Sequence, residues 1–281
     1  MFQNAEYGEY VFHGLFDKKQ IWLLYDQKNI VYMILKTATN KIVCCAKSDI
    51  GLKRTHNEDA YLIEPDLGFF TVADGMGGAA AGEVASQIFT KTAFEIFSKS
   101  GRQSEQEILE LVQQTFRFAN EQILNQASNK PEYYGMGCTA ELIAFYNNHF
   151  VLGHVGDSST YLLRRGHLRK ITRDHSLVQD QIDKGLLSKA DAKNRLHRNV
   201  ILRAVGVHEK LELDLIRGKG VCGDLFLLCS DGLTGMVDDP AIESVLSSRG
   251  TLFEKAEQLI NLANSAGGND NITVALCELT E

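Results

Sequence analysis

The stretch Phe69-Phe70-Thr71-Val72-Ala73-Asp74-Gly75-Met76-Gly77-Gly78 passes from an apolar run to an acid in a glycine-rich turn. β-Branched and aromatic residues favour a buried strand, and glycines let the backbone turn tightly beside a ligand. The pattern predicts that Asp74 lies at the end of a strand, on the rim of a sheet. An Asp-Gly pair in that place is either turn chemistry or a ligand, and this stretch alone leaves both open.

The same pattern recurs at three other places in the chain. The run 150–155 leads into Asp157, the run 225–230 leads into Asp231, and Asp270 precedes the run 272–276. If these runs share one core, their acids converge, and each close pair repels by about 4 kcal/mol at an intermediate dielectric. Bound cations would offset this repulsion. Because the ligands are oxygens without a His or Cys cluster, the sequence predicts a site for Mg²⁺ or Mn²⁺ rather than zinc.

Composition narrows the class of protein. The 281 residues are 44% hydrophobic and 23% charged, as in ordinary globular proteins. The net charge of −7 argues against nucleic acid as a partner, because binding to phosphate backbones needs a basic surface. No stretch approaches the ~18 apolar residues of a membrane span, and no signal peptide is evident. We therefore expect no membrane partner, a cytoplasmic location and a monomer.

The six cysteines show no CxxC spacing, and most lie in apolar runs. They are interpreted as reduced core thiols, which also fits the cytoplasm. The chain shows no internal repeat or linker, so residues 41–281 are predicted to form one domain with an insertion. Residues 1–40 are assigned as an N-terminal extension of unknown role. A β-hairpin around residues 26–29, a poorly ordered segment and a true start at Met33 are all open for it.

Periodicity predicts the remaining elements. Apolar residues at helical spacing indicate helices over 85–96, 108–123, 241–247 and 252–266. Apolar or alternating runs indicate strands over 42–46, 60–63, 138–145, 150–157, 160–164, 168–171, 211–217, 224–230 and 272–276. The strands between 138 and 171 are predicted to form an antiparallel meander in sequence order. The polar stretch 174–203 is predicted to be a helical excursion between strands.

Taken together, six motifs resemble the metal-dependent protein phosphatases, the protein phosphatase 2C family, in its bacterial form. They are GLKRTHNED at 51–59, VADGMGG at 72–78, GCT at 137–139, GDS at 156–158, CSDGL at 229–233 and GNDNIT at 268–273. Each motif alone is weak, but six in this order are specific, and the match spans about residues 42–279. The resemblance implies an α+β fold, a four-layer α-β-β-α sandwich. Two central, mainly antiparallel sheets are flanked by helix pairs, with a helical flap at about 175–200.

The resemblance also implies a site with two Mn²⁺ or Mg²⁺ ions and a weaker third. Its metal positions are Glu58, Asp59, Asp74, Gly75, Asp157, Asp231 and Asp270. Asp74 would bridge the two strong ions, Asp59 would act largely through coordinated water, and Asp157 would hold the third ion. For Asp157, hydrogen bonding to turn amides or to metal-bound water is the alternative.

Three side chains are assigned to catalysis, namely Arg54, Asp74 and Asp231. The planar guanidinium of Arg54 suits a phosphate held by paired hydrogen bonds, although Arg54 could also be a cation that neutralises nearby acids. Eukaryotic members carry His where this chain has Met76, which cannot donate a proton. His175 is considered as a substitute, while a lone His is more often a packed residue.

The implied activity is hydrolysis of phosphoserine and phosphothreonine in phosphorylated proteins by direct attack of a metal-bridging water. Such an enzyme would oppose a Ser/Thr kinase. Three alternatives are a phosphatase of an anti-anti-sigma-type regulator, a phosphatase of small esters, and a catalytically weak regulatory binding protein. The presence of Asp74, Asp231 and Asp270 argues against the last.

Overall fold

A computed structural model describes residues 10–16, 19–26, 30–36, 41–77, 81–101, 104–188, 191 and 200–280. The strands are β1 Tyr10–Phe16, β2 Lys19–Asp26, β3 Ile30–Lys36, β4 Lys41–Asp49, β5 Asp59–Glu64, β6 Phe69–Met76, β7 Gly137–Cys138, β8 Ala140–Tyr146, β9 His149–Val155, β10 Ser159–Arg164, β11 His167–Lys170, β12 Asp214–Lys219, β13 Leu225–Cys229 and β14 Ile272–Thr280. The helices are α1 Ala81–Ser98, α2 Glu105–Asn129, α3 Leu177–Asp183, α4 Asp231–Thr234, α5 Asp239–Ser247 and α6 Leu252–Ser265, with a 3-10 turn at Pro131–Tyr133.

The strands form two sheets. One runs β1-β2-β3-β4-β14-β13-β10-β11, and the other runs β12-β9-β8-β6-β5, with β7 paired to the end of β6. Neighbouring strands in both sheets are antiparallel. Helices α1 and α2 pack on the six-stranded sheet, α5 and α6 pack on the eight-stranded sheet, and a third core lies between the sheets. The predicted four-layer α+β sandwich is confirmed.

Strand β6 shows why the central runs are mostly apolar. Phe69 and Ala73 pack with the helix pair, whereas Phe70 and Val72 point the other way, into the core between the sheets. Since successive strand residues face opposite sides, a strand covered on both sides is apolar at nearly every position, and the buried Thr71 hydroxyl is satisfied by donating to the Glu141 carbonyl at 2.7 Å. Each fully buried Phe stabilises the fold by roughly 1.5–3 kcal/mol relative to exposure.

The predicted meander over 138–171 is wrong. Strands β8 and β9 pair with each other, as do β10 and β11, so the two hairpins are confirmed. However, β9 belongs to the six-stranded sheet and β10 to the eight-stranded one. Between them Gly156 adopts φ +113°, a conformation that favours glycine. Residues 156–158 thus carry the chain from one sheet to the other and bring Asp157 to the seam between them.

The N-terminal strands β1, β2 and β3 extend the eight-stranded sheet beyond β4. Strands β2 and β3 pair antiparallel, as the predicted hairpin requires. In the excursion, Ser176 caps α3 by accepting a hydrogen bond from the Gln179 N–H. Residues 189–190 and 192–199 of the predicted flap lie outside the described residues.

Most of the cysteine thiols are buried, as predicted. The six cysteines form no disulfide with one another, and Cys222 is the exposed one among them. In the described ranges, no helix combines the length and apolar character that crossing a membrane requires.

Candidate metal centre

The predicted acids meet at one edge of the seam between the sheets. Asp59 and Asp74 lie directly opposite each other in the β5–β6 register. Asp157 follows β9 at the crossover, Asp231 begins α4 after β13, and Asp270 precedes β14. A cleft of about 420 Å³ opens there, lined by Arg54, Thr55, His56, Glu58, Asp74, Gly75, Met76, Gly77, Asp157, Ile201, Asp231 and Asp270.

Burial and mutual repulsion raise the pKa of three of these carboxyls. Burial raises the pKa of Asp74 well above its ordinary value, and the charges of four other aspartates raise it further, namely Asp59, Asp231, Asp157 and Asp270. Burial raises the pKa of Asp157 to about 8, and the charge of Asp231 is the second largest cause. Burial likewise raises the pKa of Asp59 to about 7. The acids therefore share one electrostatic site, and without cations they disfavour full ionisation.

Two buried oxygens in the site, Asp59 Oδ1 and Asp157 Oδ1, have no hydrogen-bond partner among the described residues. The other oxygen of Asp59 accepts a 2.8 Å hydrogen bond from Ser230 Oγ, so the carboxylate is anchored on one side and unsatisfied on the other. Buried polar atoms are rarely left without a partner. These orphaned oxygens and a cleft lined mainly by carboxylates fit a hard divalent cation.

The site is open rather than a closed cage. In the part of the chain that the structure describes, no three His, Cys, Asp or Glu side chains are grouped closely enough to enclose an ion by themselves. Mg²⁺ usually keeps several waters and takes only one or two protein carboxylates. Bound water would therefore complete the coordination of such an ion.

Gly75 allows the acidic turn to pack beneath α1. A Cβ at Gly75 would overlap the backbone carbonyl of Gly82 in the first turn of α1. The Gly75 N–H donates to the Glu58 carbonyl at 3.1 Å. The Thr139 N–H donates to the Asp74 carbonyl at 2.8 Å, and the Asp74 N–H donates to Thr139 Oγ1 at 3.3 Å. The backbone that presents Asp74 is thus held on both sides.

Arg54 lies in the cleft as predicted. Its Nη2 donates to Asp270 Oδ2 at 2.8 Å, and the Arg54 side chain is 47% exposed. No other Lys or Arg lines the cleft among the described residues. The alternative interpretation paired Arg54 with the nearer acids in sequence, whereas its ion-pair partner is Asp270, which the fold brings to it across the seam.

The structure does not support His175 as a proton donor. Its Nδ1 accepts the Gly156 N–H at 3.1 Å, and its Nε2 lies 3.2 Å from Asp214 Oδ2. Burial, with the neighbouring His154 charge, lowers its pKa to about 4. A neutral imidazole whose two nitrogens are both engaged outside the cleft is a packed structural residue. Met76, which stands where the eukaryotic proteins carry His, lines the cleft.

Sequence reasoning missed several residues of the site. Ile201 lines the cleft, yet nothing in the local pattern distinguishes it. Thr55 also lines the cleft and stands inside the motif at 51–59. Ser230 supports Asp59, and Asn271 contacts the loop that carries Arg54. Both supporting residues stand inside motifs quoted above, so their place in those motifs was the available signal.

Two stacked sheets with outer helix pairs and an oxygen-only acidic cleft define a metal-dependent phosphatase. The chain belongs to the protein phosphatase 2C family, whose model, described as "Protein phosphatase 2C", matches residues 53–276. It is 39% identical over 236 residues to the serine/threonine phosphatase stp of Listeria monocytogenes serotype 4b (strain F2365). That alignment covers 83% of this chain and 94% of the relative.

Solved structures agree with this assignment. The crystal structure of the Mycobacterium tuberculosis serine/threonine phosphatase PstP/Ppp superposes with a TM-score of 0.80 at 37% identity, covering 85% of this chain and 99% of that one. The catalytic domain of PstP in complex with two manganese ions has a TM-score of 0.78 at 36% identity, with coverage of 85% and 99%. The predictions of family, fold and enzyme class are confirmed: the protein is a hydrolase of the serine/threonine phosphatase class and is metal-dependent.

Proposed function

We propose that this chain removes phosphate from phosphoserine and phosphothreonine in phosphorylated proteins, using two Mn²⁺ or Mg²⁺ ions held between its carboxylates. The observation that carries the proposal is the convergence of buried, mutually repelling aspartates beside Arg54. In this proposal the enzyme acts as a cytoplasmic monomer that opposes a Ser/Thr kinase.

The ligand assignment proposed here is the one that the family resemblance implies. Asp74, which the charges of four other aspartates surround, would hold both ions. Glu58 and the Gly75 carbonyl would serve one ion, and Asp231 and Asp270 would serve the other. Asp59, which accepts a hydrogen bond from Ser230, would act largely through water, and Asp157 would hold a weaker third ion.

When bound, two such ions supply a nucleophilic water at neutral pH and offset charge on the phosphoryl group. The chain's own residues control substrate entry and stabilise charge on the substrate. The carboxylates repel a phosphate dianion until cations are present, which makes turnover strictly metal-dependent. Arg54 binds the phosphoryl oxygens and stabilises charge on them as the bond to the leaving oxygen breaks. Met76 carries no proton to give, so the leaving group is protonated from solvent in the cleft.

The decisive experiment is hydrolysis of a phosphoserine peptide with Mn²⁺ and with excess chelator. We expect phosphate release only with Mn²⁺, and none from Asp74→Asn under the same conditions. Release in excess chelator, or undiminished release by the variant, would overturn the proposal. A parallel assay with a small aryl phosphate separates a protein phosphatase from an enzyme for small esters, because only the former gains in kcat/KM from the peptide.

A further inference from the structure

The loop over residues 50–58, between β4 and β5, carries both Arg54 and Glu58. It contains turns but no helix or strand of its own until Asp59. A loop without regular pairing needs other partners to fix its backbone. Among the described residues, Arg54 is the Lys or Arg that lines the cleft, so the groups that hold this loop bear directly on phosphate binding.

The side chain of Asn271 holds this loop at three points. Its Oδ1 accepts the Glu58 N–H at 2.8 Å, and its Nδ2 donates to the Ile50 carbonyl at 3.0 Å and to the His56 carbonyl at 2.9 Å. Asn271 is 3% exposed, so water does not replace these bonds. One buried amide therefore holds the first residue of the loop and, at Glu58 and His56, its last turn.

The backbone of Asn271 extends the same connection to Asp270. The Asn271 N–H donates to Asp270 Oδ1 at 2.8 Å, while Arg54 Nη2 donates to Asp270 Oδ2 at 2.8 Å. The Asp270 carboxylate is thus bracketed between Asn271 and Arg54. Consequently the distance between the guanidinium and the carboxylates depends on Asn271.

We propose that Asn271 is a positioning residue that sets the placement of Arg54 against the acidic cleft and thereby tunes phosphate affinity. This inference rests on the proposed function. An amide is required because it offers one acceptor and two donors on one planar group. A carboxylate in this place would face two carbonyls without a donor, and an alkyl group would leave all three loop groups unsatisfied.

The chain offers a matched control in Asn120, which is 2% exposed. Its Oδ1 accepts the Gly206 N–H at 2.7 Å, and its Nδ2 donates to the His208 carbonyl at 2.9 Å. It therefore holds another loop by the same chemistry, and residues 206–209 do not line the cleft. Loss of this amide costs comparable hydrogen bonding without touching the site.

The test compares Asn271→Ala with Asn120→Ala in the full chain with Mn²⁺. Urea unfolding measures stability, and the inhibition constant of inorganic phosphate measures the site. We expect both variants to lose stability, but only Asn271→Ala to raise the phosphate inhibition constant, by about tenfold. If Asn271→Ala fails to stay folded, Asn271→Ser, which keeps one short donor, is measured in the same way with the same expectation.

A double-mutant cycle separates positioning from general destabilisation. In an Arg54→Ala background, Asn271→Ala should add little further loss of phosphate binding, because its effect passes through Arg54. Equal phosphate inhibition in Asn271→Ala and Asn120→Ala, or full additivity with Arg54→Ala, would refute the positioning role. If the wild-type chain itself releases no phosphate from the peptide with Mn²⁺, the proposed function fails instead, which is a separate result.

Discussion

Replacement of Asp59 by Asn should make the metal-free protein more stable at pH 8, although it removes an acid from the site. Asp59 is buried with an unpartnered Oδ1, and burial, with Asp231 and Asp270 nearby, raises its pKa to about 7. An Asn in its place keeps an oxygen to accept the hydrogen bond from Ser230 and carries no charge to bury.

The sign and size of the effect follow from linkage. The folded-state pKa lies above the unfolded one, so the stability contributed by this group is present below pH ~4 and is lost as pH rises through about 7. From 3.8 to about 7, at about 1.36 kcal/mol per unit, the loss approaches ~4 kcal/mol at pH 8. Relaxation of neighbouring carboxyls reduces this, so a gain of roughly 2–4 kcal/mol is expected for the Asn variant.

Urea unfolding in excess EDTA at pH 5, 6, 7 and 8 measures the effect. The free energy of unfolding of the wild type should fall across this range, and that of Asp59→Asn should fall less, so that the two curves diverge towards pH 8. Glu121→Gln, which neutralises an exposed acid on α2, is the control and should track the wild type. Curves for Asp59→Asn and the wild type that stay parallel from pH 5 to 8 would refute the reasoning.

Three further outcomes are expected. Asp74→Asn and Asp231→Asn should each abolish turnover of a phosphoserine peptide at saturating Mn²⁺, because each change removes a charge but keeps the side-chain volume. The circular dichroism spectrum should stay unchanged, and measurable turnover would contradict a two-ion site. Arg54→Ala should raise KM and the phosphate inhibition constant by about tenfold or more and change Mn²⁺ affinity far less; calorimetry showing the reverse would make Arg54 a structural cation. Asp157→Ala should still bind two ions but lose the low-affinity phase of metal activation; an unchanged activation curve would remove the third ion.

Much of the fold could be predicted because the hydrophobic pattern of the sequence matches the burial of the same residues in the structure. The apolar run into Asp74 is a strand covered on both sides, and its end is the acid that the cleft uses. Repetition of that pattern at Asp157, Asp231 and Asp270 predicted convergence, since strands of one core end at shared edges. The helices were predictable for the same reason. In α1 and α2, most of the apolar residues that recur at helical spacing are buried.

The remainder depended on contacts across long sequence separations. Nothing near residue 157 shows that the next strand joins the other sheet, because a three-residue crossover and a tight hairpin look alike in sequence. Arg54 pairs with Asp270 at a sequence separation of 216, which neighbouring residues do not reveal. His175 was singled out for its chemistry, whereas its protons and partners are set by Gly156 and Asp214, which only the fold brings together.

The acids of the site come from both sheets: Asp74 lies near the end of β6 in the six-stranded sheet, and Asp270 leads into β14 of the eight-stranded one. An ion bound by both would therefore cross-link two layers that otherwise meet through side-chain packing and a few hydrogen bonds, such as the one from Ser230 to Asp59. Sliding or parting of the layers at that edge would require the ion to leave first. Amide exchange at the Asp74 and Asp270 ends should accordingly slow on metal loading, whereas exchange at the far ends of the same strands should change little.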